Sequence, residues 1–212
     1  MTTVLIDYDS GNLHSAQKAF QKMAEESGGG RVIVTSSPED VAGADRIVLP
    51  GDGAFPACRN ALVEERGLFD ALREAVEVQG RPFLGICVGM QLMARAGYEY
   101  EETAGLGWID GEVRHIRPNN SDLKIPHMGW NDLVIAGKHP VLEGLETGDH
   151  AYFVHSYQME IADPSQCIAH CDYGGRVTAI VGRDNVIGTQ FHPEKSQETG
   201  LRLIANFLKW AP

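Results

Sequence analysis

The chain has 212 residues, of which 43% are hydrophobic and 22% are charged, and its formal net charge is −11. This length and composition predict a single soluble α/β domain spanning residues 1–212 with a substantial core. The negative charge excludes a general nucleic-acid binder, because there is no basic surplus to neutralise phosphates. No apolar run approaches the roughly 20 residues of a membrane span, so no membrane partner is expected.

The four cysteines do not form the dense pattern of a disulfide framework in a chain of this length. Cys167 and Cys171 flank His170, but no second ligand pair stands at the spacing of a zinc site. A strand with packed cysteines is the favoured interpretation, and neither a metal nor a cofactor is expected. The N-terminus lacks the basic segment of a signal peptide. Together these features predict a cytoplasmic protein.

Strands and helices are predicted to alternate through the first half of the chain. Helices are expected from Leu13 to Met23, from Ser37 onward, and from about Leu62 to Val78, where Gly80 ends the last one. The predicted strands comprise residues 4–8, 31–35, 46–50 and the apolar run that leads to Cys87. Strands separated by helices of this length require right-handed crossovers and a parallel sheet.

From Trp108 onward the pattern changes to short strands and turns. Strands are predicted at 111–116, 130–135, 152–159 and 168–171, a hairpin at 177–181 and 186–190, and a final helix at 199–210. The predicted fold is therefore a three-layer α/β architecture. Its mostly parallel central sheet is flanked by helices and carries an antiparallel extension in the C-terminal half.

Gly85-Ile86-Cys87-Val88-Gly89 has the layout of a nucleophile elbow with sulfur in place of the serine oxygen. The two glycines permit a sharp turn, and the following helix N-terminus favours a thiolate. The pentapeptide by itself is equally compatible with a packed cysteine, which behaves as a small hydrophobe.

A base for Cys87 is predicted in Phe191-His192-Pro193-Glu194, which follows another strand. Pro193 biases His192 toward an extended conformation, in which Glu194 projects to the same side as the imidazole. A carboxylate there would orient the imidazole and stabilise its charged form. Taken alone, a solvated histidine with a surface glutamate explains the same residues.

Two backbone N–H groups are candidates for an oxyanion hole. The first belongs to Val88, the residue after the nucleophile. The second belongs to Asp52 in Pro50-Gly51-Asp52-Gly53, where two glycines allow an N–H to turn inward. An ordinary tight turn explains this tetrapeptide equally well when it is considered alone.

Together, the three motifs resemble the class I (triad) glutamine amidotransferases, and the resemblance covers nearly the whole chain. It implies a triad of Cys87, His192 and Glu194. It further implies that the cysteine attacks the side-chain amide of glutamine, giving a glutamyl thioester and ammonia, and that water then releases glutamate. Asp52 departs from the family pattern, which is often apolar there, so its carboxylate must point away from the oxyanion.

Further segments resemble one branch of this family, the glutaminase subunits of imidazole glycerol phosphate synthases. They are Tyr8-Asp9-Ser10-Gly11-Asn12-Leu13, Pro126-His127-Met128-Gly129-Trp130-Asn131, Tyr152-Phe153-Val154-His155-Ser156-Tyr157 and His192-Pro193-Glu194-Lys195-Ser196. This resemblance implies a heterodimer with a (β/α)₈ cyclase subunit in histidine biosynthesis. The cyclase would use the ammonia to form imidazole glycerol phosphate and an aminoimidazole carboxamide ribotide.

The resemblance also implies roles for individual positions. Residues matching glutamine-binding positions are Gly53, Gln91, Glu99, His155, Ser156 and Tyr157. Residues matching positions that face the partner or the ammonia passage are Asn12, His127, Trp130, Tyr152 and Lys195. Two alternatives remain open at this stage: another triad amidotransferase subunit, such as the pyridoxal phosphate synthase glutaminase, and a non-catalytic domain that keeps the fold.

Overall fold

A computed structural model describes residues 1–9, 13–65 and 67–212. The first half contains β1 (Thr2–Ile6), α1 (Leu13–Ser27), β2 (Arg31–Thr35), α2 (Pro38–Ala42), β3 (Arg46–Gly51), α3 (Phe55–Glu64), α4 (Leu68–Arg73), β4 (Phe83–Cys87) and α5 (Val88–Gln91). The second half contains β5 (Ala96–Gly97), β6 (Thr103–Ala104), β7 (Gly111–His115), β8 (His127–Asp132), β9 (Val134–Ile135), β10 (His150–His155), β11 (Tyr157–Ile161), β12 (Cys167–Asp172), β13 (Arg176–Arg183), β14 (Val186–Thr189) and α6 (Gln197–Lys209).

The central sheet has the strand order β2-β1-β3-β4-β14-β13-β12-β9. Its first five strands are parallel, and β14, β13, β12 and β9 are joined by antiparallel pairings. Helices flank this sheet, with α1 and α6 packed together through Phe20 and Phe207. The predicted fold class, including the C-terminal antiparallel extension, is confirmed.

The parallel strands are apolar because both faces of the sheet are covered. Every residue of β3 and β4 is buried, and so are the last four residues of β1. Cys87 closes β4 at the carboxyl end of the sheet, where ligands bind in open α/β folds. The core therefore holds the predicted elbow in a rigid layer.

Two smaller sheets stand beside the central one: the pair β8–β10 and the sheet β11-β7-β5-β6. The prediction of one strand over 152–159 was wrong, because the chain leaves the first small sheet after His155 and joins the second at Tyr157. The predicted strand 130–135 is likewise divided between β8 and β9.

The predicted helix from Leu62 to Val78 was also wrong. The chain forms α3 and α4 instead, and Gly67 precedes α4 with φ +82°, a left-handed conformation that no α-helix continues through. A π-helical turn, Glu74–Val78, follows α4. Among the described residues, no helix combines the length and apolar character needed to span a membrane.

Candidate active site

Cys87 occupies a sharp turn between β4 and α5, with φ +54° and ψ −110°. This backbone conformation is strained for any residue other than glycine, and it persists only where the surrounding structure enforces it. A Cβ on Gly89 would lie 1.8 Å from the Leu49 carbonyl oxygen, and one on Gly85 would lie 2.6 Å from the Gly89 oxygen. Glycine is therefore required on both sides of Cys87, as the elbow prediction supposed.

His192 and Glu194 form a buried pair beyond the end of β14. The imidazole Nδ1 lies 2.9 Å from the Glu194 Oε1, and the two side chains are only 6% and 3% exposed. His192 has the expected extended backbone, but the extended path predicted through Glu194 was wrong, since Pro193–Lys195 is a 3₁₀ turn. The carboxylate reaches the imidazole because this turn folds it back.

The charge state of His192 follows from its neighbours. Burial lowers the pKa of His192, but hydrogen bonds and charge interactions with Cys87 and Glu194 outweigh burial and raise it to about 10. The imidazole is therefore protonated at neutral pH, beside the sulfur and held by the carboxylate. Such a pair holds a proton ready for a leaving group.

A cavity of about 140 Å³ opens at Cys87. It is lined by the predicted oxyanion and substrate-binding residues together with Val154: Asp52, Gly53, Cys87, Val88, Gln91, Glu99, Val154, His155, Ser156 and Tyr157. These residues come from four separate parts of the chain. The fold thus brings the whole predicted binding set to one place, although each residue's role stays a prediction.

Glu99 places a carboxylate at this cavity. Its Oε2 accepts a hydrogen bond of 2.8 Å from the backbone N–H of Phe55, the first residue of α3. The positive end of the helix dipole compensates the charge in part, and the carboxylate keeps further lone pairs for a ligand. This position suits an ammonium group.

The glycine turn after β3 lies directly beside the elbow, since Gly51 pairs with Cys87 across β3 and β4. The hydroxyl of the buried Tyr8 donates a 2.6 Å hydrogen bond to the Pro50 carbonyl and so anchors the start of the turn. Asp52 is exposed and lines the cavity, and the direction of its carboxylate stays a prediction. That the N–H groups of Asp52 and Val88 receive the oxyanion stays a prediction.

The residues predicted to face a partner differ in how exposed they are. Trp130 and Tyr152 are paired across β8 and β10 with ring centroids 5.8 Å apart, and Trp130 is 48% exposed. Lys195 is half-buried in the turn after His192, and Asn12 lies outside the described residues. His127 is 2% exposed and contacts His155, so it lies beneath this surface instead of on it.

Two polar residues of the site were missed by the sequence reasoning, one beside Cys87 and one beside the His192 backbone. The side chain of Gln190 is fully buried, and its Nε2 lies 3.8 Å from the Cys87 sulfur. The hydroxyl of Ser196 donates to the His192 carbonyl at 2.7 Å and accepts from the Tyr152 N–H at 2.9 Å. A glutamine at the end of an apolar strand was the available signal for Gln190. Ser196 stands in the segment His192-Pro193-Glu194-Lys195-Ser196, but no role was predicted for it.

The family model for glutamine amidotransferase class-I matches residues 4–210. The chain belongs to the class I glutamine amidotransferases. The family predicted from the three motifs is therefore confirmed.

Relatives of this amidotransferase extend over its full length. Proteins named imidazole glycerol phosphate synthase subunit HisH from Cereibacter sphaeroides and Ruegeria pomeroyi are 67% and 64% identical, with all of this chain and all of each relative covered. A crystal structure of a glutamine amidotransferase, 20% identical, superposes with a TM-score of 0.72 over 98% of this chain and 99% of that one. At that identity the superposition supports the fold alone.

Proposed function

We propose that this amidotransferase is the glutaminase subunit of an imidazole glycerol phosphate synthase in histidine biosynthesis. The full-length relatives that carry this name support the assignment to a pathway. The observation that carries the chemistry is the cavity at Cys87, together with the His192–Glu194 pair whose imidazole contacts the sulfur. We regard residues 1–212 as one catalytic domain.

The proposed reaction begins when the Cys87 sulfur attacks the side-chain amide carbon of glutamine. The carbonyl π electrons move to oxygen, and the N–H groups of Val88 and Asp52 stabilise that oxyanion. When the oxyanion collapses, His192 gives its proton to the departing nitrogen, and ammonia leaves a glutamyl thioester. A water molecule then attacks the thioester as His192 takes its proton, and glutamate is released with the cysteine restored.

Substrate recognition uses the remaining residues of the cavity. Glu99 pairs with the α-ammonium group of glutamine, while Gln91 and Gly53 line the path of its side chain. The segment His155-Ser156-Tyr157 also lines the cavity.

The ammonia passes to a cyclase subunit with a (β/α)₈ barrel, with which this chain forms a heterodimer. Ring closure, the lyase step, belongs to that partner. We assign Trp130 and Tyr152 to the interface because exposed aromatic side chains are typical interface anchors, with Asn12, His127 and Lys195 beside the ammonia passage. The four free cysteines agree with a cytoplasmic location.

Substitution of the proposed nucleophile tests the chemistry. Cys87→Ala should abolish glutamine-dependent synthesis by the complex and leave ammonia-dependent synthesis intact, because only the attack on the amide needs the sulfur. The matched control is Cys171→Ala on β12, where burial raises the pKa of the thiol to about 12 and leaves it unreactive. Glutamine-dependent activity that survives in Cys87→Ala contradicts the proposed mechanism.

Dependence on a partner is tested by co-purification with the cyclase, followed by glutamate release with and without the cyclase's nucleotide ligand. Loss of one oxyanion donor typically costs about 10²–10³ in rate. If the Asp52 turn is completed only by the partner, the isolated chain should release glutamate slowly and the liganded complex rapidly. Rapid turnover by the isolated chain would argue against this gating, and failure to bind any cyclase would favour another amidotransferase subunit.

A further inference from the structure

A chain of hydrogen bonds begins on β8 and runs inward through two buried histidines. The Asn131 Nδ2 lies 3.3 Å from the His127 Nε2, and the His127 Nδ1 lies 3.0 Å from the His155 Nε2. The His155 Nδ1 lies 2.8 Å from the Tyr157 carbonyl oxygen. The rings of Phe153 and Tyr173 stack on His127 with centroids 4.7 and 4.0 Å away, which fixes its plane.

The direction of each hydrogen bond in this chain is determined. Burial lowers the pKa of His155 to about 3 and that of His127 to about 4, so both rings are neutral at pH 7. A carbonyl oxygen only accepts, so the His155 Nδ1 carries the hydrogen and its Nε2 accepts one from His127. The His127 Nε2 then accepts from Asn131, whose amide group also donates to the Asp172 carbonyl at 2.8 Å.

A second series of hydrogen bonds reaches the Tyr157 carbonyl from the side of Cys87. The Gln91 Nε2 donates to the Tyr157 oxygen and to the Gln190 Oε1, both at 3.1 Å. These two bonds use both amide hydrogens of Gln91, and the two lone pairs of the Tyr157 oxygen are filled by Gln91 and His155. Because its oxygen is engaged by Gln91, Gln190 must turn its NH₂ group to the Cys87 sulfur, 3.8 Å away.

Gln190 reaches the sulfur without lining the substrate cavity. A buried amide is costly unless its groups are hydrogen-bonded, and here one donor is directed at an atom that accepts strongly only as a thiolate. A packing role for Gln190 would need no donor at that place. The side chain thus approaches the nucleophile from behind while glutamine would approach from the cavity.

We propose that Gln190 is a positioning residue, which holds the Cys87 thiolate in its attacking orientation and is itself oriented from β8 through Asn131, His127, His155, Tyr157 and Gln91. The inference rests on the proposed function for its kinetic consequence. It also links the exposed strand that carries Trp130 to the reactive sulfur by contacts that do not pass through the substrate.

The test is the isosteric variant Gln190→Glu, which keeps the acceptor for Gln91 but replaces the donor at the sulfur by an oxygen. In the full chain, alkylation of Cys87 by iodoacetamide, followed by mass spectrometry of its peptide, should slow about 10-fold or more, as expected when a hydrogen bond to a charged group is lost. Glutaminase kcat should fall similarly with KM little changed. The control is Gln166→Glu, whose side chain only caps the Asp110 N–H at an exposed turn.

Asn131→Leu tests the distal end of the chain and is independent of the folding of the Gln190 variant. It should slow alkylation of Cys87 by a smaller factor, about 2- to 3-fold, because it frees the His127 ring without changing the last contact. Wild-type alkylation rates in folded Gln190→Glu, or in Asn131→Leu should the first variant not fold, overturn the positioning role. Slowed alkylation in a chain that releases no glutamate under any condition would overturn the proposed function and leave the positioning role standing.

Discussion

At the scale of single residues, His192 interacts electrostatically with both Cys87 and Glu194. Its pKa, raised to about 10 by Cys87 and Glu194 against the effect of burial, means that the folded protein binds this proton more tightly than the unfolded chain does. The stabilisation is therefore fully present below the ordinary histidine pKa of about 6.5 and is lost as the pH rises through about 10. In the proposed reaction, the same proton goes to the departing ammonia.

Glu194→Gln should lower glutaminase kcat/KM by about 10²–10⁴, the range for a disrupted general acid–base group. It should also move the alkaline limb of the pH–rate profile to lower pH, because loss of the carboxylate charge lowers the pKa of His192. The measurement is kcat/KM from pH 6 to 10.5 in the activated complex.

The control for that profile is Glu143→Gln, which makes the same carboxylate-to-amide substitution at an exposed position. It should leave both the rate and the alkaline limb where they are in the wild type. An unshifted limb in Glu194→Gln would show that the carboxylate does not set the charge of His192.

At the scale of elements, the site depends on two segments held by strands from different sheets. The elbow is clamped between β3 and β4, where Gly51 and Gly89 approach closely: a Cβ on Gly51 would lie 2.7 Å from the Gly89 nitrogen. The His192 segment is held by β10, whose Tyr152 carbonyl accepts from the His192 N–H at 3.0 Å and whose Tyr152 N–H donates to Ser196. Cys87 and His192 therefore keep their separation only while both sheets stay packed.

Gly89→Ala should destabilise the fold by about 3 kcal/mol or more, at the upper end of the cost of overpacking, because the new methyl group would overlap the Leu49 carbonyl. For a chain of this size that corresponds to a Tm lower by about 6–12 °C. Thermal unfolding followed by circular dichroism measures it.

The control for this substitution is Gly43→Ala, because Gly43 also has negative φ and its added Cβ would lie 3.4 Å from its nearest neighbour. Its Tm should change by no more than about 2 °C. Equal Tm values for Gly89→Ala and Gly43→Ala would contradict the close packing of β3 against the elbow.

At the scale of the whole molecule, the β8–β10 pair connects the surface to the site. Its outer side presents Met128 and Trp130, which are 61% and 48% exposed. Its inner side contributes His127 and His155, and the backbone of β10 holds His192. A partner that covers the outer side would therefore contact the same strands that hold His192 and line part of the cavity.

Trp130→Ala should weaken the affinity for the cyclase subunit by about 2 kcal/mol, or roughly 30-fold in Kd, as expected of an aromatic anchor at an interface. Titration of the labelled chain with cyclase measures the change. Val78→Ala is the matched control, since Val78 is 71% exposed but lies before β4, at the opposite end of that strand from Cys87. Equal affinity for the cyclase in the two variants would show that Trp130 is not part of the interface.

Much of this protein could be predicted from local sequence chemistry. The apolar strands, the hairpin around 182–185 and the final helix follow from periodicity and turn residues, which act within a few positions. The elbow also follows from local chemistry, since its two glycines are needed by the backbone at Cys87. The motif set was enough to predict the family that was then confirmed.

Tertiary structure decided the features that depend on distant residues. The strand predicted over 152–159 is shared between two sheets, because pairing partners far along the chain outweigh local propensity. The burial of His127 beneath Trp130 and the contact of Gln190 with Cys87 across 103 positions are of the same kind. The division of the predicted 62–78 helix into α3 and α4 is a local effect instead, since Gly67 has a left-handed backbone. Sequence alone was enough to predict the reacting groups Cys87, His192 and Glu194. Packing determined the contacts around them, since hydrogen bonds between distant strands leave no local pattern in the sequence.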